Sequence, residues 1–410
     1  MTRSCRFCQA PLTTSFVDLG MSPLSNAFIK PERLSAMEKF YPLHAFVCEK
    51  CFLVQLEEFE SPDQIFSDYV YFSSYSTSWL DHARRYCEQI IKKVGITKTS
   101  FVVEVASNDG YLLKNFVERE IPCLGIEPAA NVSKVAIEQG VPTRSVFFGE
   151  STARQLVKEE RHVDLLIGNN VFAHVPNIND FVAGMKVALA PQGVITLEFP
   201  HLLELIKNNQ FDTIYHEHFS YLSLLAVEKI FAAHGLAVFA VDHLPTHGGS
   251  LRVYAQHSDT GNHPLEESVE ETRRLERNGS LHELSTYVGF KEHVEKVKRD
   301  LLAFLIHAKE KGHRVVAYGA AAKGNTLLNF SGIRSDFVDF VVDRNPHKQS
   351  LFTPGTHIPV HGPERLIEAK PEYVLILPWN IKDEVMNQLS EIRTWGGRFV
   401  VPIPRLEVLS

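Results

Sequence analysis

A chain of 410 residues is too long for one ordinary core, and its 44% hydrophobic and 22% charged residues describe a folded globular protein with room for two or three domains. With 42 basic against 49 acidic residues, the formal charge of -7 offers no general attraction to phosphate backbones, so a nucleic-acid partner is disfavoured. The opening MTRSCRFCQA carries no apolar run of signal type, and no stretch reaches the roughly 18 apolar residues that span a bilayer; a soluble, cytoplasmic enzyme or binding protein without a membrane partner is expected, a monomer by default.

The first motif is a pair of cysteine clips. Cys5 and Cys8 form one C-x2-C pair and Cys48 and Cys51 another, so two hairpin-like knuckles can present four thiolates to a tetrahedral ion. Six cysteines in all are too few for a disulfide scaffold in a chain of this length. Nothing catalytic lies between the clips, which favours a closed structural zinc site over a metal with an open position. The turn-rich DLGMSPLSNAF between them implies a substantial loop with contacts elsewhere.

The next segment, DYVYFSSYS, is rich in rings and hydroxyls, and Tyr71, Ser73, Tyr75 and Ser76 would suit a nucleobase, a sugar ring or phosphate oxygens. An aromatic hinge between domains would have the same composition. Beyond it, WLDHARRYCEQIIKKV is helical in pattern over Trp79 to Val94, and Phe101 to Val105 is an apolar run of strand type. The turn Ala106-Ser107-Asn108-Asp109-Gly110 follows, then a helical YLLKNFVERE, then a second strand, Cys123 to Ile126, ending on Glu127. A carboxylate at the end of the second strand, about 20 residues on from the first turn, is placed to accept ribose hydroxyls. The turn is not G-x-G-x-x-G; with Gly110 as its one glycine it favours a ligand without phosphates over a dinucleotide. S-adenosylmethionine meets that description, and so would another adenosine ligand. The candidate contacts are Glu104, Ala106, Asn108, Gly110, Tyr111, Glu127, Pro128 and Asn131. Strands are expected again over Asp164 to Asn170 and Gly193 to Pro200, and their carboxyl ends would bring Asn169, Asn170 and His174 to the same crevice.

Phe211 to Tyr221, FDTIYHEHFSY, concentrates ionisable and aromatic side chains. His216 and His218 are two residues apart, whereas H-E-x-x-H zinc chemistry needs a helical turn between its histidines, so a protease helix is excluded. A base of near-neutral pKa, a group to orient it and a donor for a developing oxyanion are the parts such a string can supply. In THGGSLRV, Gly248 and Gly249 allow a tight turn beside His247 and the cation Arg252, as a substrate contact or as an ordinary hairpin. From Asn262 to Lys311 the pattern is charged and helical, leading to a second strand-loop-helix unit at Val315 to Asn325. Its small residues Gly319 and Ala321, with Lys323 and Asn325 at the helix start, would suit a diphosphate; a nucleotide fold kept only as scaffold is the alternative.

The paired clips followed by EVASNDG, GIEPAANV, AHVPN, EFPH, YHEHFSYLS, THGGSLRV and YGAAAKGN, in this order, resemble the sugar C-3′-methyltransferase family that makes branched deoxysugars. The resemblance spans nearly the whole chain and implies an α/β fold in three parts. These are an N-terminal zinc-binding domain (residues 1–75), a central Rossmann-like S-adenosylmethionine methyltransferase domain (76–255), and a second Rossmann-like α/β domain (256–410) contributing to nucleotide-sugar binding. It further implies a dTDP-linked 4-keto-deoxysugar as substrate, S-adenosylmethionine and a structural zinc ion as cofactors, and His218 as the base that removes the proton at C3. Tyr215 and Glu217 match residues around that base, and His174 matches a second histidine at the same centre, with orientation and enolate stabilisation as their roles. Two other readings stay open. A nicotinamide-dependent nucleotide-sugar oxidoreductase or epimerase has the missing G-x-G-x-x-G against it, and a zinc-knuckle binding module has the acidic balance against it.

Overall fold

Ala83, Tyr86, Cys87 and Ile90 recur at helical spacing along Thr77–Val94, and all four are buried with Val102, Leu165, Ile167 and Val194 in one apolar cluster. Arg84, Arg85 and Glu88, on the other face, are left to water and to ion pairs along the helix. In this computed structural model the described residues are 3–61, 73–75 and 77–410. The chain divides into two compact units, each discontinuous in sequence. The first takes Met1–Leu12, Cys48–Leu202 and Phe219–His282, and the second Thr13–Val47, Leu203–His218 and Glu283–Ser410.

The first unit is built on seven strands in the spatial order Leu236–Leu244, Ser250–His257, Leu189–Pro200, Val163–Asn169, Val102–Val105, Cys123–Ile126, Thr143–Arg144. Only Ser250–His257 runs against its neighbours. Val102–Val105 and Cys123–Ile126 are buried throughout, as strands covered on both faces must be, which is why they read as unbroken apolar runs. Gly248 and Gly249, at φ 88 and 116, turn the chain between the last two strands, so the tight turn foreseen there closes an antiparallel hairpin. The helix expected after the first turn is shorter than its pattern: only Lys114–Val117 is α-helical. The Asn115 amide bonds back to the Leu112 carbonyl, and Glu120 at φ 57 ends the segment.

The second unit carries six strands in the order Val360–His361, Val341–Val342, Val315–Tyr318, Tyr373–Ile376, Arg398–Val401, Glu407–Leu409. All are parallel except the last. The first strand in sequence lies in the interior and the chain order reverses beside it, the doubly wound arrangement, with its crevice between Val315–Tyr318 and Tyr373–Ile376. The residues between the cysteine clips form a hairpin here, Thr14–Ser22 against Tyr41–Val47. Phe16 of that hairpin stacks on Phe290 of the helix Leu284–Glu310, ring centroids 4.7 Å apart. The helical segment before this unit is two helices, Glu267–Asn278 and Leu284–Glu310, parted at Gly279 and Ser280. Among the described residues no helix is long and apolar enough to cross a membrane.

Candidate active site and metal centre

The two cysteine clips fold alike. In the first, the Cys5 amide bonds the Ala10 carbonyl and Gln9, at φ 60, returns its amide to the Cys5 carbonyl; in the second, Cys48 bonds Leu53 and Phe52, at φ 65, returns to Cys48. Each loop therefore aims two sulfurs the same way, and all four Sγ atoms lie within 4.8 Å of one another. A tetrahedral zinc with bonds of about 2.3 Å needs sulfurs a little under 4 Å apart, so the donor set fits the ion in number, chemistry and spacing. The first clip is fastened to the first unit by Arg6, whose guanidinium donates to the carbonyls of Pro176 (2.8 Å) and Leu56, and by Asn179, which donates to the Phe7 carbonyl at 2.9 Å. Burial pulls the Arg6 guanidinium down to about 10, a measure of how far it has left water.

At the carboxyl end of Val102–Val105 the chain passes through three left-handed positions, Ala106 (φ 57), Asn108 (φ 51) and Gly110 (φ 79). Only glycine takes that conformation without strain, and a side chain at Gly110 would also meet Val141 Cγ2 at 2.9 Å. Glu127 holds the turn, accepting the Asn108 amide at 3.0 Å and the Ala129 amide at 2.9 Å. Asn108 accepts the Ser73 amide, and Asp109 accepts the Ser74 amide and hydroxyl. Around this frame polar atoms are buried without a hydrogen-bond partner among the described residues: both Glu104 oxygens, Asp109 Oδ1, and the Oδ1 and Nδ2 of Asn169. Each such group costs about 1–3 kcal/mol unless a ligand meets it. Burial pushes the Glu104 carboxyl well above its ordinary range, and the neighbouring Glu127, Asp109 and Glu198 push the same way. A cationic, hydroxyl-bearing ligand would reverse that, and S-adenosylmethionine, with its ammonium, sulfonium and ribose, fits the donors present.

Glu198 stands directly across from Arg252 on paired strands and accepts Arg252 Nε at 2.8 Å, while its other oxygen lies 2.9 Å from His82 Nε2. Both charged groups are buried, so Arg252 is engaged inside the fold. Trp79 stacks on His82 at 4.9 Å and lies 6.2 Å from Tyr111 and 5.4 Å from the exposed ring of His247, which carries this network to the edge of the turn. His174, half-buried, follows the strand that delivers Asn169 and Asn170.

In the second unit the YHEH string splits into two pairs. His216 and Glu217 are buried, while Tyr215 and His218 are half-exposed with ring centroids 4.1 Å apart. His218 Nδ1 donates to the Thr213 carbonyl at 2.9 Å, which puts a proton on Nδ1, so that the neutral ring carries its lone pair on Nε2, the form a base requires. His216 Nε2 donates to the Pro42 carbonyl at 3.2 Å, and burial lowers its pKa. Glu217 is raised to about 7 by burial, against the pull of the Asn26 amide 2.6 Å away and of the Lys348 charge. At the second nucleotide-type turn the Ala320 amide is taken by Asp343 (2.7 Å) and the Ala320 carbonyl by Lys348 (2.8 Å). Gly319, at φ 88, abuts Pro378, and any Cβ there would stand 2.6 Å from its ring. Ala321 caps the helix Ala322–Ser331 without a side-chain bond. Lys323 bonds Asn380 at 2.7 Å over the Trp379 ring, and Asn325 donates to the Ser25 carbonyl at 2.6 Å.

Three domain families match in series: a zinc binding domain over residues 5–66, a methyltransferase domain over 79–241, and a C-methyltransferase C-terminal domain over 245–404. The C-methyltransferase NovU of Streptomyces niveus is 34% identical over 406 residues, 99% of this chain and 96% of that protein. The chain belongs to the NovU family of C-methyltransferases. It is an S-adenosylmethionine-dependent enzyme with a four-cysteine zinc site. Solved structures add little. Magnesium protoporphyrin IX methyltransferase from Synechocystis PCC 6803 is 11% identical over 44% of this chain and 82% of that one, with a TM-score of 0.34. The complex of the Haloferax volcanii Trm112 activator with a methyltransferase gives 11%, 46%, 95% and 0.37, and neither score carries an argument.

Within the first unit the sequence motifs give the frame of the cofactor turn and the four thiolates, and within the second the Tyr215–His218 pair. Tyr71, Ser76 and the side chain of Tyr75 lie outside the described residues. Sequence reasoning missed partners of these groups: His82 beside Glu198, and Asn26 and Lys348 beside Glu217. Each is joined to its site by residues distant in the chain, 116 positions for His82 and Glu198 and 191 for Asn26 and Glu217, and no local pattern announces such pairs.

Proposed function

We propose that this C-methyltransferase acts at C3 of a dTDP-linked 4-keto-deoxysugar, in the making of a branched deoxysugar. His218 carries the reading: a carbonyl-fixed Nδ1–H leaves Nε2 as the proton acceptor, and the Tyr215 ring, tilted 34° to the imidazole at 4.1 Å between centroids, packs against it. Nε2 takes the proton from C3, the C3–H electron pair forms the C3–C4 double bond, and the carbonyl π electrons move to O4, giving an enediolate. When bound, S-adenosylmethionine supplies the electrophilic methyl group that C3 acquires. Tyr215 and His174 stabilise the oxyanion, and Glu217, buried on Asn26, orients the segment. On the cofactor side Glu127 and Asn169 take the ribose and amino-acid groups, with Glu104, Asn108 and Asn170 beside them. Lys323 and the amides at the start of Ala322–Ser331 face the diphosphate, as a cation beside a helix N-terminus suits. The NovU relationship supports C-methylation, and the sugar and its carrier are this proposal's own.

The test is mass spectrometry of a panel of dTDP-keto-sugars. In heavy water, without methyl donor, the wild type exchanges the C3 proton of the true substrate and His218→Ala does not. With isotope-labelled donor only the wild type adds the methyl group. Exchange undiminished in His218→Ala removes this histidine from the chemistry, and a panel with no methylated member removes the substrate class.

A further inference from the structure

The carbonyl that sets the His218 tautomer belongs to a small, heavily anchored turn. Phe211–Thr213 is one 3-10 turn with all three residues buried. Asp212, at its centre, has no exposed surface and accepts the indole Nε1–H of Trp379 at 2.8 Å, a bond between residues 167 apart in sequence. Trp379 stands just past Tyr373–Ile376, at the carboxyl end of the parallel sheet, and its ring lies under the Lys323 ammonium at 4.8 Å. The Thr213 hydroxyl donates to the Gln210 carbonyl at 2.7 Å, and its own carbonyl receives His218 Nδ1–H. One residue on, the Ile214 carbonyl accepts the Thr326 hydroxyl at 3.1 Å. The turn is thus tied to the sheet through Asp212 and to the helix Ala322–Ser331 through Ile214, with the histidine's acceptor between the two ties.

An apolar filler would suffice to seat such a turn, and burying a carboxylate costs several kcal/mol before its partners are counted. The Asp212 carboxylate also faces its own amide and that of Thr213, the residue whose carbonyl meets His218. In water a free neutral imidazole favours the Nε2–H tautomer, which has no lone pair at the position assigned to the base. Which nitrogen carries the proton is decided by the partner of the other.

We propose that Asp212 and Trp379 are positioning residues for His218: their hydrogen bond fixes the Thr213 carbonyl, and through it the Nδ1–H tautomer that leaves Nε2 able to take a proton. The proposal rests on the reading of His218 as the base, but the tautomer can be measured without turnover. In the full-length, zinc-loaded protein with 15N-labelled histidine, long-range proton–nitrogen correlation reports which ring nitrogen is protonated, and the His218 signals are those lost in His218→Gln. The wild type is expected to show Nδ1–H. Trp379→Phe removes the indole donor while keeping an aromatic ring, and Asp212→Ala removes the acceptor. Both are expected to give a mixture of tautomers and a kcat lower by roughly 10–100-fold, the range for loss of a group that orients a functional imidazole. Affinity for S-adenosylhomocysteine stays as in the wild type. Asp212→Asn, which keeps an oxygen for the indole, recovers most of kcat. A merely structural clamp would lower stability without moving the tautomer. If Asp212→Ala does not fold, Trp379→Phe carries the test, since an aromatic ring still fills most of the site. A His218 that stays wholly Nδ1–H in Trp379→Phe, with kcat unchanged, overturns the proposal. Full activity in His218→Ala would instead overturn the base assignment and leave the tautomer measurement to judge the clamp.

Discussion

The two parallel sheets present the same feature, a strand followed by a small-residue turn and a helix, and treat it in opposite ways. In the first unit the turn at Ala106 to Gly110 is framed by Glu127, and Glu104, Asp109 and Asn169 have buried polar atoms that meet no hydrogen-bond partner among the described residues. In the second the turn at Gly319 to Ala321 is closed on itself, with the Ala320 amide on Asp343, its carbonyl on Lys348 and Gly319 against Pro378. Buried polar atoms without a partner suit a ligand drawn into the turn itself, whereas bonded backbone groups at Gly319 to Ala320 hold the second turn rigid and leave any ligand to the helix start beyond it. On this contrast we assign the cofactor to the first sheet, while the segment that carries His218 belongs to the second unit.

Removing zinc strikes one side of this contrast hardest. Structural zinc is worth about 10–16 kcal/mol of binding free energy, all of it within the first unit. Chelation is expected to abolish hydrogen-exchange protection in residues 3–12 and 48–56 while that of Leu284–Glu310 persists. Equal loss in both would dissolve the distinction. Arg252→Met leaves Glu198 buried with His82 alone and should lower the unfolding free energy by about 3–5 kcal/mol, read by urea titration. A change below about 1 kcal/mol, the range of exposed pairs, would mean that the pair is not isolated from water.

A third effect belongs to the second unit. Folding raises Glu217 from 4.5 to about 7, so the folded state favours the acid form. Its contribution is complete below about pH 4.5, declines as pH rises, and is lost above about pH 7, a change of about 3 kcal/mol in all. Glu217→Gln cannot ionise, and its stability should fall less than that of the wild type across that window; identical slopes would contradict the assignment. The smallest effect sharpens the comparison of turns. Gly319→Ala, forced to φ 88 against Pro378, should cost at least about 1–2 kcal/mol in thermal unfolding, and a neutral result would mean that the turn can relax.

Much of this was legible in the sequence where the signal is local. The cysteine clips depend on spacing within four residues, and the EVASNDG turn declares itself by its asparagine and glycine at left-handed positions. The interleaving of the chain was not legible: the hairpin Thr14–Ser22 and Tyr41–Val47 lies between zinc ligands in sequence but packs with the helix Leu284–Glu310 in the second unit. Nor was the engagement of Arg252, because Glu198 faces it only once two distant strands are paired in register. Residues whose work depends on a partner more than 100 positions away, Asp212 and Asn26 among them, carry no mark in a single chain.

The division of labour between the two turns is tested most directly by calorimetric titration of S-adenosylhomocysteine into the wild type, Asn169→Leu and Gly319→Ala. The account predicts that Asn169→Leu, which removes polar atoms that no described residue meets, weakens binding at least tenfold, about 1.4 kcal/mol, while Gly319→Ala binds as the wild type does. Wild-type affinity in Asn169→Leu together with lost affinity in Gly319→Ala would place the cofactor on the other sheet and contradict it.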